Sequence, residues 1–273
     1  MKDKRVLYIS SEVVPYLPET EISSTAFQVA RMTNGAGGQT RIFMPRFGNI
    51  NERRHQLHEV IRLSGMNMVI NDLDMPLIIK VASIPKERMQ VYFIDNEDYF
   101  KRKATFTDED GNLFKDNDER AIFFAKGVIE TVKKLNWAPD IIHIHGWLAA
   151  LIPVYLKNYF KDEPLFLDSK VITSVYAEGF EGELSADLVN KIKFDEIDGA
   201  ALEVIEKSTH QNLMKLAVAN SDGIVIASED VNSELISYID GLETPTLHYK
   251  SPDEIEGTYT AFYKDLIGED EEE

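Results

Sequence analysis

The sequence contains no cysteine among its 273 residues. That excludes disulfides, thiolate metal sites, iron–sulfur clusters and a cysteine nucleophile, and leaves the redox compartment open. Positive charge is scarce as well: Lys+Arg 29 stand against Asp+Glu 47, a formal net charge of −18. A surface of that sign repels phosphate backbones and anionic lipid, so neither nucleic acid nor a membrane surface is an expected partner. Long apolar runs are missing too. The most apolar stretch, Leu148–Leu156, is broken by Pro153 and falls short of the ~20 residues that span a bilayer. Met1-Lys-Asp-Lys-Arg5 leads only into Val6–Ile9, where a signal peptide needs about 7–15 apolar residues. The expectation is a cytoplasmic protein.

What is present fits a globular chain: 44% hydrophobic and 28% charged residues, enough for one large domain or two small ones. No internal repeat or linker interrupts it. The expected division is a single domain over residues 1–250, then a C-terminal helix and acidic tail over 251–273. That last segment holds nine acids and one base, Lys264. The block Glu269–Glu273 has no apolar anchor and should be solvated.

Short, nearly continuous apolar runs mark strands buried on both faces of a parallel sheet: Val6–Ser10, Thr40–Met44, Ile141–Ile144, Val171–Ser174 and Gly223–Ala227. Between them lie helical stretches. Ser23, Ser24 and Thr25 offer N-caps for a helix reaching about Asn34, which Gly35-Ala-Gly-Gly38 ends. Ile122, Ala125, Ile129, Val132 and Leu135 form an amphipathic stripe within about 116–136. Further helices are expected over about 147–160, 209–219, 229–239 and 253–267. Between His58 and Asp95 the pattern changes to strand-like runs (Glu59–Leu63, Met66–Ile70, Leu77–Ala82, Val91–Ile94) with no helix between them, read as an antiparallel excursion. The expected architecture is α/β: a doubly wound, mostly parallel Rossmann-like sheet with a small antiparallel insertion.

An open α/β sheet binds ligands beyond the carboxyl ends of its strands. The loop Ser10–Ile22 lies there, yet it has no glycine and no Lys or Arg, and it carries Glu12, Glu19 and Glu21. A phosphate-binding loop needs glycines for close backbone approach. The Gly35–Gly38 cluster follows a helix and precedes a strand, the reverse of a phosphate loop. His143 and His145 share one face of a strand by period-two geometry; with no third ligand nearby they are a weak metal signal. One is read as buried and hydrogen-bonded and the other as lining the crevice, with Trp147 in the core or crevice wall. The loop from Tyr176 to Asp198 carries Glu178, Glu181, Glu183, Asp187, Asp195, Glu196 and Asp198. A pair of these could act as general acid and base, but a solvated acidic loop is the preferred reading. No Walker loop and no Gly-x-Ser-x-Gly elbow is present.

Four segments, in order, carry a family resemblance. Val6-Leu-Tyr-Ile-Ser-Ser-Glu-Val-Val-Pro15 is similar to the opening of bacterial glycogen synthases and plant starch synthases. Arg41-Ile-Phe-Met-Pro-Arg-Phe-Gly-Asn-Ile50 resembles their second strand and following loop. Pro139-Asp-Ile-Ile-His-Ile-His-Gly-Trp147 resembles Pro-Asp-(apolar)₂-His-x-His-Asp-Trp. Ala219-Asn-Ser-Asp-Gly-Ile-Val-Ile-Ala-Ser228 resembles Ala-Asp-x-(apolar)-Thr-x-Val-Ser. The resemblance implies the N-terminal, acceptor-side half of a GT-B glycosyltransferase. The family moves glucose from ADP-glucose to an α-1,4-glucan, without metal or other cofactor.

By this resemblance the substrate-binding positions are Glu12, His143, His145, Trp147, Tyr176 and Gly182. Four departures accompany them. Pro18-Glu-Thr-Glu-Ile22 stands where the family has Lys-x-Gly-Gly-Leu; Gly146 stands for the aspartate of His-Asp-Trp; Leu148 stands for the histidine that follows it; and Tyr176 stands for a histidine that meets the reacting sugar. No residue is therefore expected to be catalytic. The chain is read as a stand-alone, catalytically degenerate domain with a glucan-binding or regulatory role, its partners α-1,4-glucan and a complete synthase. The alternative is an active synthase half completed by a separately encoded C-terminal-type domain.

Overall fold

The computed structural model describes residues 1–268. The first strand, β1 (Arg5–Ser10), is followed by α1 (Glu21–Gly35) and β2 (Gln39–Pro45). Then come α2 (Glu52–His55), β3 (His58–Glu59), β4 (Met66–Ile70), β5 (Leu73–Ser83), β6 (Gln90–Asp95) and α3 (Glu97–Phe100). The long helix α4 (Asn117–Leu135) precedes β7 (Ile141–His145), α5 (Ile152–Lys157), β8 (Lys170–Val175) and α6 (Leu188–Lys193). The described chain closes with α7 (His210–Ala219), β9 (Gly223–Ile226), α8 (Ser233–Asp240), β10 (Thr246–Leu247) and α9 (Ile255–Ile267). The acidic block Glu269–Glu273 lies outside the described residues.

The strand order is β10-β9-β8-β7-β1-β2-β6-β5-β3, with β4 paired to β5. Every pair from β10 to β6 is parallel, and the sheet winds outward in both directions from β1 and β7. This is the doubly wound architecture that the apolar runs predict, and β1, β7 and β8 are buried along almost their whole length. The antiparallel excursion is smaller than expected. Val91–Ile94 belongs to β6, parallel to β2, and only β3, β4 and β5 run antiparallel. Of Glu59–Leu63 only Glu59 is in a strand.

Two helices depart from their sequence patterns. Helix α1 begins at Glu21, because Thr20 rather than Ser23 is the N-cap. Thr20 Oγ1 accepts from Ser23 N–H at 3.0 Å, while Ser23 Oγ accepts from Thr20 N–H at 2.8 Å. That reciprocal box satisfies two end donors at once. Helix α4 is buried nearly all round rather than along a stripe, with Asp118, Arg120 and Lys126 inside. Its Lys126 meets Asp195 at 2.5 Å, and Asp195 also accepts from the Tyr155 hydroxyl at 2.6 Å. The stretch after β7 is a 3₁₀ turn, Trp147–Ala149, and a short α5 instead of one continuous helix.

Helix α9 packs on the body. Tyr259 and Tyr263 are buried, and Phe262 and Leu266 lie over Gly223 at the start of β9. A methyl group at Gly223 would come within 2.6 Å of Leu266, so the glycine lets the helix sit down on the strand. Among the described residues, no helix is long and apolar enough to cross a membrane.

Candidate functional site

The carboxyl ends of β8 and β9 open into a cleft of about 640 Å³. The loop after β8 supplies Tyr176, Phe180, Glu181 and Gly182; the start of α7 supplies His210 and Gln211; Asn232 and Leu235 come from the start of α8. This is where a doubly wound sheet places its ligands. Gly182 has φ +84°, a left-handed turn that suits glycine.

Phe180 is gripped from two sides. Its ring meets Trp147 edge-on at 4.9 Å and His210 at 5.6 Å. Gly179 makes that grip close, since a Cβ there would lie 2.5 Å from His210 Nδ1. Burial pushes the His210 pKa down to about 4, so its imidazole is neutral. Trp147 is itself buried, and its far side packs on Phe106 at 4.8 Å. The expected role of Trp147 in the wall is therefore indirect: it backs Phe180, which lines the cleft.

Both β7 histidines project to one face, their rings 4.1 Å apart. The expectation that one lines the crevice is corrected: both are 0% exposed. His143 shares hydrogen bonds with the Tyr263 hydroxyl at 2.5 Å and the Ser174 hydroxyl at 2.8 Å. Helix α9 covers the face that would otherwise open it to solvent. His145 Nδ1 lies 2.7 Å from the Tyr176 hydroxyl, and its Nε2 has no partner. Burial pushes His143 well below the ordinary range and His145 to about 3. Both are neutral packing groups. Tyr176, expected at the sugar, is also buried; its hydroxyl turns inward to His145, and burial raises its pKa.

Glu12 lies at the other side of the crevice. Its carboxylate accepts from the Thr20 hydroxyl at 2.7 Å, and burial raises its pKa. The pKa of Glu178 is raised by burial and by the negative charges of Glu12 and Glu21. Glu21 in turn accepts from the Ser228 hydroxyl at 2.5 Å, and Ser228 accepts from Ala177 N–H at 2.9 Å. The N-terminus of α1, where an anion would dock, is thus capped by its own chain and ringed with carboxylates.

Gly146, in place of the family aspartate, has φ +82°, and a Cβ there would lie 2.0 Å from Ser11 Oγ. The acidic loop is not uniformly solvated, as Asp195 is buried against Lys126. Among the described residues, no group of three or more His, Cys, Asp or Glu side chains could hold a metal ion. The structure thus brings Tyr176 and Gly182 together at one cleft, with Trp147 behind Phe180, and leaves Glu12 outside its lining. Phe180, His210, Gln211 and Asn232 were not singled out from sequence. One signal could have found them: helices α7 and α8 begin beside a strand's carboxyl end, with N-caps at Thr209 and Asn232.

The architecture is one half of a two-domain α/β fold, an open and mostly parallel sheet with a cleft at its strand ends. The family model for the starch synthase catalytic domain matches residues 5–245, and the chain belongs to that glycogen/starch synthase family. It is 35% identical over 229 residues to a glycogen synthase of Chlorobium luteolum, covering 84% of this chain and 46% of that protein. It is 37% identical over 194 residues to a glycogen synthase of Chlorobium phaeobacteroides, covering 71% of this chain and 40% of that one. The catalytic domain of starch synthase IV from Arabidopsis thaliana, solved with ADP and acarbose, superposes with a TM-score of 0.68 at 15% identity. That match covers 82% of this chain and 45% of that one, and it shows the shared GT-B fold. The chain spans about half the length of the curated relatives it matches.

Proposed function

We propose that this chain is a glucan-binding domain that does not itself transfer glucose and that works in the cytoplasm as a regulatory partner of a complete synthase. One observation carries the reading. The cleft is lined by two aromatic rings, a neutral imidazole, amides, a hydroxyl and a carboxylate, with no lysine or arginine among the described residues lining it. Such walls suit an uncharged polyol, which packs its apolar face on a ring and exchanges hydrogen bonds with amides and carboxylates. A nucleoside diphosphate leaving group needs cations or free backbone donors aimed at it. The capped α1 terminus and the carboxylates of Glu12, Glu19 and Glu21 offer the opposite field. Tyr176, at the position of the histidine in the resembled motif, keeps its hydroxyl on His145 at 2.7 Å and so does not offer it to the cleft.

A second reading follows from length. Because the chain spans about half of its relatives, a separately encoded C-terminal-type domain could complete an active synthase. Titration calorimetry with maltoheptaose and with ADP-glucose, plus ADP release with glycogen as acceptor, separates the two. Maltoheptaose binding without ADP-glucose binding or turnover is the expected result. Glycogen-dependent ADP release above a heat-killed control would overturn it, and a protein that binds neither ligand would remove the glucan role.

A further inference from the structure

We propose that Arg120 and Asn117 are positioning residues for this cleft: they set its aromatic wall through Phe106, a role that rests on the glucan reading above. Both side chains are fully buried on the first turn of α4. Arg120 Nη1 donates to Asn117 Oδ1 at 2.6 Å, and Asn117 Nδ2 donates to the Phe106 carbonyl at 2.9 Å. Phe106 then packs on Trp147 and on Phe47 at 5.3 Å, and Trp147 packs on Phe180. The five residues form one contiguous path from the interior of α4 to the cleft surface.

Nothing in the helix itself calls for a charge at Arg120. Its guanidinium makes that single hydrogen bond, and its Nε and Nη2 have no partner. The rest of its contact is with three rings, Phe47 at 5.4 Å, Phe100 at 5.1 Å and Phe114 at 5.6 Å. Burial pushes its pKa down to about 9, which leaves it charged at neutral pH. A buried cation without a carboxylate partner is costly, and an apolar side chain of similar volume is often the more stable choice. What the arginine supplies is geometry. Its rings belong to Phe47, to Phe100 at the end of α3 and to Phe114 in the loop 101–116, and its hydrogen bond fixes the amide that holds Phe106. The loop is closed on itself by Thr107 and Leu113 and by Phe114 N–H donating to the Phe106 carbonyl at 3.0 Å. Releasing Asn117 removes one of the two donors to the Phe106 carbonyl and so loosens the support behind Trp147.

Two variants separate positioning from stability. Asn117→Asp keeps an acceptor for Arg120 and removes the donor to Phe106. Arg120→Met keeps bulk and removes both the charge and the donor. In a Trp137→Phe background, Trp147 is the one tryptophan left of two, and its acrylamide quenching reports the wall directly. Expected are stronger Trp147 quenching in both variants, maltoheptaose affinity about tenfold weaker, the scale of one lost hydrogen bond, and an Arg120→Met melting point at or above wild type. Unchanged quenching and affinity would overturn the proposal, as would an affinity loss seen only where the melting point falls. If wild type binds no maltoheptaose, the glucan reading fails by itself and the quenching alone decides the relay.

Discussion

Helix α9 is expected to be part of the folding unit, and Tyr263 is the residue that tests it. Its side chain is 1% exposed, its ring stands edge-on to His143 at 5.7 Å, and its hydroxyl is the partner of His143 Nδ1. Tyr263→Phe keeps the ring and deletes the hydroxyl, so the fully buried Nδ1 of His143 loses its hydrogen-bond partner. Leaving a buried polar group unsatisfied costs about 1–3 kcal/mol. Tyr263→Ala also opens a cavity beneath Tyr8 and Tyr259 and should cost about 3–5 kcal/mol. At roughly 2–4 °C per kcal/mol for a chain of this size, the phenylalanine variant should melt about 2–12 °C lower and the alanine variant lower still. Ending the chain after Lys250 removes Ile255, Tyr259 and Tyr263 from the core and uncovers both β7 histidines. The assay is thermal and urea unfolding followed by near- and far-ultraviolet circular dichroism. A Tyr263→Phe variant within 0.5 kcal/mol of wild type, together with a cooperative fold after truncation, would refute the reasoning and make α9 an appendage.

Acid should unfold the protein early. His143, His145 and His210 are all held neutral by burial, with folded values below the ordinary 6.5. Their stability is present above pH 6.5 and is lost as pH falls, by about 1.4 kcal/mol per unit per histidine. The raised Glu12 and Glu178 act in the opposite sense only nearer the carboxylate range, so urea midpoints measured from pH 7 to 5 should drop steeply; a flat profile would contradict buried neutral histidines. Asp195→Asn should cost about 3–5 kcal/mol, because it strands Lys126 inside the protein, whereas replacing both partners by apolar residues should recover most of that; a double-mutant unfolding cycle checks it. Gly146→Ala should destabilise by about 2 kcal/mol or more, from its left-handed backbone and its clash with Ser11 Oγ. Adding Ser11→Gly should restore the part due to the clash, which melting curves of the single and double variants would show.

The sequence by itself determined the buried strands of the parallel core. Runs such as Val6–Ser10 and Ile141–Ile144 are apolar at every pleat, and only a strand covered on both faces buries such a run. It also determined that the first loop is no phosphate cradle, because glycine and cation are simply not there. Period-two spacing put His143 and His145 on one face. Tertiary structure decided what that face meets. The covering residue of His143 lies 120 positions away on α9, and Lys126 finds Asp195 69 positions on. The cleft wall of Phe180 and His210 is backed by Trp147 and Phe106, four residues that no local pattern groups. Periodicity encodes which side of an element is buried. Strand order and the helices that close each face decide against whom, and that choice turned an expected crevice histidine into a core one.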